Sequence, residues 1–66
     1  EIITHSPADI MDDKFHAVGK AESEMILGFP IMELKTKDKT LVKFLTIDDT
    51  KRWVDKQFVT IKSVNQ

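Results

Sequence analysis

The chain has no cysteine, so neither a disulfide nor a thiolate metal site can hold it together. Small secreted domains of this size lean on such staples, and their absence favours an intracellular home. Its only glycines are Gly19 and Gly28, too few and too scattered for a phosphate-cradling loop. His5 and His16 are the only histidines. Their separation fits no common zinc spacing and no cysteine completes a set, so both read as surface residues and no cofactor is expected. No Ser–His–Asp arrangement emerges from the spacing. No apolar run approaches the roughly 18 residues of a membrane span, no signal-peptide pattern opens the chain, and no membrane partner is expected. The chain opens on Glu1 rather than Met, as expected of a piece excised from a longer protein. With 66 residues it has room for one domain with one thin core, since chains of about 60 residues hide only about 60% of their unfolded surface. A ligand pocket of roughly 300 Å³ or more would consume much of that interior, which weighs against an enzyme.

What remains is a globular composition, 41% apolar and 32% charged, with an uneven charge distribution. Residues 1–33 carry seven acids against two lysines, a charge of −5. Residues 34–66 carry eight bases against four acids, a charge of +4. Such asymmetry fits two halves that attract each other or two ordinary solvated faces, and it also fits a nucleic-acid face.

Along the chain, EIITH shows no partner signal and reads as a frayed arm. Ser6-Pro7-Ala8-Asp9 is a helix-start pattern, with Ser as N-cap, Pro at the first helical position and an acid in the first turn. Beyond it two readings stay open. A short helical turn ends near Asp13 and a strand follows over Lys14–Lys20; or one helix runs from Pro7 to about Leu27, with Met11, Phe15, Val18 and Met25 at helical spacing. Met25–Lys35 is a long apolar strand whose Met25, Leu27, Phe29 and Ile31 share one parity and suit an inward face. Pro30 makes it an edge or a bulge, and Gly28 permits a kink beside it. KTKDK, Lys35–Lys39, is a polar hairpin loop. Thr40–Ile47 is the clearest strand, Asp48-Asp49 turns it, Lys51–Val54 is a short strand with Trp53, Asp55–Gln57 is one tight turn, and Phe58–Val64 is a last strand. If Val54 faces inward, alternation turns Trp53 at least partly outward. Five short strands with a bend near a proline make a mostly β fold, a small closed barrel over residues 14–66 preceded by an arm over 1–13; closure would remove sticky edges. The alternative is α+β, the long helix on a three-stranded antiparallel sheet.

The stretch LVKFLTIDDTKRWVDKQFVTIKSV has the order strand, Asp-rich turn, short strand with a Trp, tight turn and final strand. In this it resembles the tail of SH3-like barrels, and in particular the Tudor domains of DNA-damage checkpoint adaptor proteins. KFHAVGK and EMILGFPIMELK would then be the first and second strands. SH3 domains and retroviral integrase C-terminal domains share the outline. The resemblance implies a non-catalytic reader of peptides in a chromatin or DNA-damage-response protein, nuclear, with a histone tail as partner. It also implies a cage that holds a methylammonium by cation–π attraction. Residue by residue, the first loop Ala21–Glu24 has no aromatic and strand three ends in Ile47. Asp48 and Asp49 match the acidic element, and Lys51 occupies the later aromatic position. The cage implied is therefore degenerate, and the ligand surface it points to comprises Trp53, Asp49, Asp48 and Phe44.

Two other functions fit the residues. Lys35, Lys37 and Lys39 alternate around one loop and, with Lys43, Lys51 and Arg52, could meet successive phosphates. Without aromatics for stacking there, DNA binding would be weak, salt-sensitive and sequence-blind. A small viral or bacterial regulatory protein that binds a protein partner is the third reading. Nothing in the sequence sets the oligomeric state.

Overall fold

The structure, a computed structural model, describes residues 1–62. They form a mostly β fold of seven strands: β1 (Ile2–Thr4), β2 (Ala8–Met11), β3 (Ala17–Ala21), β4 (Ile26–Lys35), β5 (Thr40–Leu45), β6 (Lys51–Asp55) and β7 (Val59–Ile61), with a 3-10 turn at Lys56–Phe58 between the last two. All pair antiparallel in one sheet of order β3-β2-β6-β5-β4-β1-β7. The sheet is open: β3 and β7 are its two ends and do not pair with each other. The five strands expected are seven, and among the described residues no hydrogen-bonded closure into a barrel is found.

β5 is the centre. Its T-L-V-K-F-L sequence alternates β-formers on both faces, which suits a strand flanked on both sides. Val42 and Phe44 point into the core with Val54, Ile2, Ala8 and Val59, while Ile10, Leu27 and Phe58 close the edges. Full burial of each large side chain contributes about 1.5–3 kcal/mol.

Two expectations at the N-terminus fail. EIITH is not a frayed arm: Ile2–Thr4 lies between β4 and β7, with Ile2 and Thr4 fully buried. The Thr4 hydroxyl donates to the Glu22 carbonyl at 2.6 Å and accepts the Met25 N–H at 2.8 Å. That pins the loop before β4 and satisfies a polar group that would be costly to bury alone. Ser6–Asp9 does not start a helix, and the long helix to Leu27 does not exist. Ala8–Met11 is a strand paired with both β3 and β6, because Ala8 and Ile10 gain more by packing on the core than a capped turn offers. Residues 1–13 therefore belong to the same sheet as the rest.

β4 is bent as Gly28 and Pro30 foretell. Its first part pairs with β1 at Ile26 and Gly28, its second with β5 from Phe29 to Lys35, and the register slips between Pro30 and Met32. The bend overturns the expected inward face: of Met25, Leu27, Phe29 and Ile31, only Leu27 packs on the core and the others are exposed. β5 stops at Leu45, leaving Ile47 100% exposed in the loop to β6. Asp55 caps the 3-10 turn by accepting the Gln57 N–H at 3.1 Å. Of the expected strand Phe58–Val64, Val59–Ile61 is observed, Phe58 ends the turn, and Ser63 and Val64 lie outside the described residues.

Candidate functional site

Residues directly opposite in an antiparallel ladder share a face. The face turned away from the core therefore carries a row across four strands, Met11–Trp53–Lys43–Met32. Beside it run Leu34–Leu41 and Phe29–Leu45. Alternation places Trp53 on this outer face, as expected, yet the indole is only 6% exposed. Its cover is the β2–β3 hairpin loop.

That loop is wound by Asp12. One carboxylate oxygen accepts the Lys14 and His16 N–H groups at 2.9 and 3.0 Å, and the Phe15 N–H donates to the Asp12 carbonyl at 2.9 Å. Phe15 is held at φ 64°, an unusual conformation for a side chain of its size. The result aims its ring at Trp53, with centroids 5.2 Å apart and planes tilted by 56°, a pair worth about 0.5–1.5 kcal/mol beyond area. Asp13 accepts the indole N–H at 3.0 Å. The Lys43 ammonium lies 5.7 Å from the Trp53 ring centroid and 3.6 Å from the Asp13 carboxylate. Aromatic face, acid and cation thus meet, and the cation belongs to the chain itself.

The Asp12 carboxyl is held below its ordinary value, chiefly by the His16 N–H. A depressed folded pKa adds stability above the unfolded value and loses it as pH falls through the folded one. In pH titrations followed by the Trp53 indole N–H resonance, the native chain is expected to lose the loop contact in a step below the usual carboxylate range. Asp12→Asn, which keeps the acceptor but not the charge, should lack that step; an identical profile in both proteins would dissociate Asp12 from the cover.

The other expected site residues disperse. Phe44 is 1% exposed inside the core and offers no surface to a ligand. Asp48 and Asp49 are exposed in the β5–β6 loop. There the Thr46 hydroxyl bonds Asp48 and is the main cause of its lowered pKa, while the Asp49 N–H donates to the Thr46 carbonyl at 3.1 Å with φ 65°. Asp48 serves the turn through its carboxylate and Asp49 through its backbone N–H. Asp48 borders a shallow cavity with Arg52, Ile10 and Val18, which Trp53 does not line.

The six bases do not make one patch. Lys35, Lys37 and Lys39 surround the β4–β5 loop. Lys51, opposite Leu45, and Arg52, opposite Phe44, sit at the other end of β5, roughly 17 Å away at strand spacing. Lys43 lies between them and is paired with Asp13.

Sequence reasoning missed Asp13 and Phe15, which lie far from Trp53 in the chain and meet it only through the β2–β6 pairing. It also missed the exposed apolar set of β4: Ile26, Phe29, Ile31, Met32 and Leu34. Where β1 parts from β4, Ile26, Leu27, Gly28, Phe29, Thr46, Ile47 and Glu1 line a mostly apolar groove of about 400 Å³. Among the described residues no cluster of three or more His, Asp or Glu could hold a metal, and no helix is long and apolar enough to cross a membrane.

Compared with known proteins, the chain matches no family model, no curated protein and no solved structure. What fold and site define is thus a class: a mostly β, single-sheet domain with one covered tryptophan and a long, apolar, bent strand.

Proposed function

We propose that the chain is a non-catalytic interaction module of the SH3-like, Tudor-like kind, whose cation cage is closed by its own lysine. The observation that carries this reading is the convergence of Trp53 and Asp13 on the Lys43 ammonium, with Phe15 walling the indole. Trp53 and an acid are the parts such a cage needs; here the acid comes from the β2–β3 loop and not from Asp48 or Asp49. The β4-β5-β6 meander and the 3-10 turn before the last strand follow the order expected of that class, whereas KFHAVGK, expected as its first strand, contributes only to the end strand β3, which pairs with β2 alone.

The test is a titration of the isotope-labelled chain with a trimethyl-lysine histone-tail peptide and its unmodified counterpart. In the native chain the Trp53 indole N–H should not move at about millimolar peptide, the range where affinity is about −4 kcal/mol. In Lys43→Ala the trimethyl-lysine peptide, and not the unmodified one, should shift Trp53 and Phe15. A folded Lys43→Ala that ignores both peptides overturns the Tudor-like reading. Shifts confined to Lys35, Lys37 and Lys39 with mixed-sequence duplex DNA, lost on adding salt, would favour nucleic acid instead.

A further inference from the structure

We infer that the cleft between the β2–β3 hairpin and the β5–β6 loop docks an extended, acidic peptide segment of a partner protein, with apolar side chains on the floor and carboxylates at the rim. The cleft is distinct from the Trp53 cage, and Trp53 does not line it.

The cleft holds about 320 Å³. Its floor is aliphatic: Ile10 and Leu27 reach it from the edge of the core, and Val18 and Met25, each about half exposed, wall it. Among the described residues none of β1 or β7 lines it. Glu1 lies instead in the groove beside Gly28, which shares only Leu27 and Thr46 with the cleft.

Gly19 is the informative residue. It stands opposite Ile10 in the β2–β3 ladder, and residues directly opposite project from the same face. A side chain at this position would therefore enter the cleft. Nothing in the chain forbids one. No atom lies within 4 Å of a Cβ built on Gly19. The slip in the ladder is made by the extra residue Val18, and Gly19 does not take the left-handed φ of a glycine bulge. Glycine weakens a strand. One that serves neither conformation nor packing marks a place where a ligand or another backbone comes close.

The rim sets the sign of that ligand. Lys20 and Arg52 both line the cleft, and among the described residues neither makes an ion pair. The Arg52 guanidinium donates to the neighbouring Lys51 carbonyl at 3.0 Å, which leaves most of its fork of donors for a carboxylate. The acid at the mouth, Asp48, takes the Thr46 hydroxyl and serves its own loop. Unpaired cations above an aliphatic floor suit a segment in which acids alternate with apolar residues, because successive side chains of an extended chain point opposite ways. No aromatic ring lines the cleft for base stacking, which favours a peptide over a nucleic acid.

The isotope-labelled chain is titrated at low salt, up to about 1 mM, with a blocked peptide of alternating leucine and glutamate and with its leucine–glutamine counterpart. The glutamate peptide should shift the amides of Val18, Gly19, Lys20 and Thr50, and the glutamine peptide should not. Arg52→Gln should weaken binding at least about tenfold, the scale of one lost charge-assisted hydrogen bond. Gly19→Leu should fill the cleft, melt no lower than the native chain and bind neither peptide. Circular dichroism checks each fold; should Gly19→Leu fail to fold, Arg52→Gln and Lys20→Gln decide. Equal shifts with both peptides, no shifts with either, or shifts centred on Trp53 or on Lys35–Lys39 would each overturn the inference. So would a folded Gly19→Leu that binds like the native chain, or mixed-sequence duplex DNA that moves the same cleft amides.

Discussion

Replacing Phe44 by Ala should leave the chain largely unfolded at room temperature. Phe44 is the largest of the fully buried side chains, and it packs in one cluster with Ile2, Ala8, Val42, Val54 and Val59. Phe→Ala in a core costs about 3–5 kcal/mol, through lost transfer energy and a cavity that closes only in part. A domain has about 0.05–0.15 kcal/mol of stability per residue, which for this length is on the order of 3–10 kcal/mol in total. The loss is thus comparable to the whole margin. In thermal melts followed by circular dichroism, Phe44→Ala should melt at least about 12 °C below the native chain, at about 4–8 °C per kcal/mol for a domain of this size. Phe44→Leu should lose much less. Phe29→Ala, at a position 60% exposed, should change the melt by no more than a few degrees. Similar losses for Phe29→Ala and Phe44→Ala would mean that the core is not where the burial puts it.

That contrast also shows what the sequence could and could not disclose. Phe29 and Phe44 look alike in the linear pattern, each in an apolar run of alternating parity. Only the curvature of β4 separates them, and curvature depends on which strands flank it. β5, β6 and the loop between them were legible because their signals are local: β-branched and aromatic runs, a pair of aspartates, one tight turn. β1 and β2 were not, because their strand character comes from partners elsewhere in the chain. Ile2–Thr4 is held by β4 and β7, and the Ser6-Pro7 cap signal gives way to burial of Ala8. Trp53 was legible as to face but not as to exposure. Alternation turned it outward, and a hairpin loop then laid Phe15 and Asp13 over it. The residues that occupy the candidate cage were therefore invisible as a group, although each is an ordinary residue of its strand or loop.

The largest effect of all is expected at a residue with no side chain. Gly28 has φ 149°, a region that side-chain-bearing residues rarely adopt, and a Cβ built there would lie 2.0 Å from the Leu45 carbonyl oxygen and 2.9 Å from its carbon. Both are backbone atoms, so no flexible side chain can yield. Gly28→Ala must therefore push β4 off β5 next to the Phe29–Leu45 pair, or twist β4 out of register with β1 at Ile2. Either movement opens the core beneath Leu27. Strain and lost pairing together put the change in the exceptional class above about 4 kcal/mol, enough to unfold a chain of this size. Gly19→Ala is the matched control. Nothing lies within 4 Å of a Cβ there, and Ala in a strand should be neutral or stabilise by about 0.5–1 kcal/mol. Urea titrations should therefore give Gly19→Ala a midpoint at or above the native one and Gly28→Ala no folded baseline. The reason reaches beyond stability. The close approach of Gly28 to Leu45 is what lets β4 pair with β1 at Ile26 and Gly28 and with β5 from Phe29 onward, and the apolar groove of Ile26, Phe29 and Ile47 lies at that junction. A Gly28→Ala chain that melts like the native one would mean that β4 does not approach β5 this closely, and the groove would lose that wall.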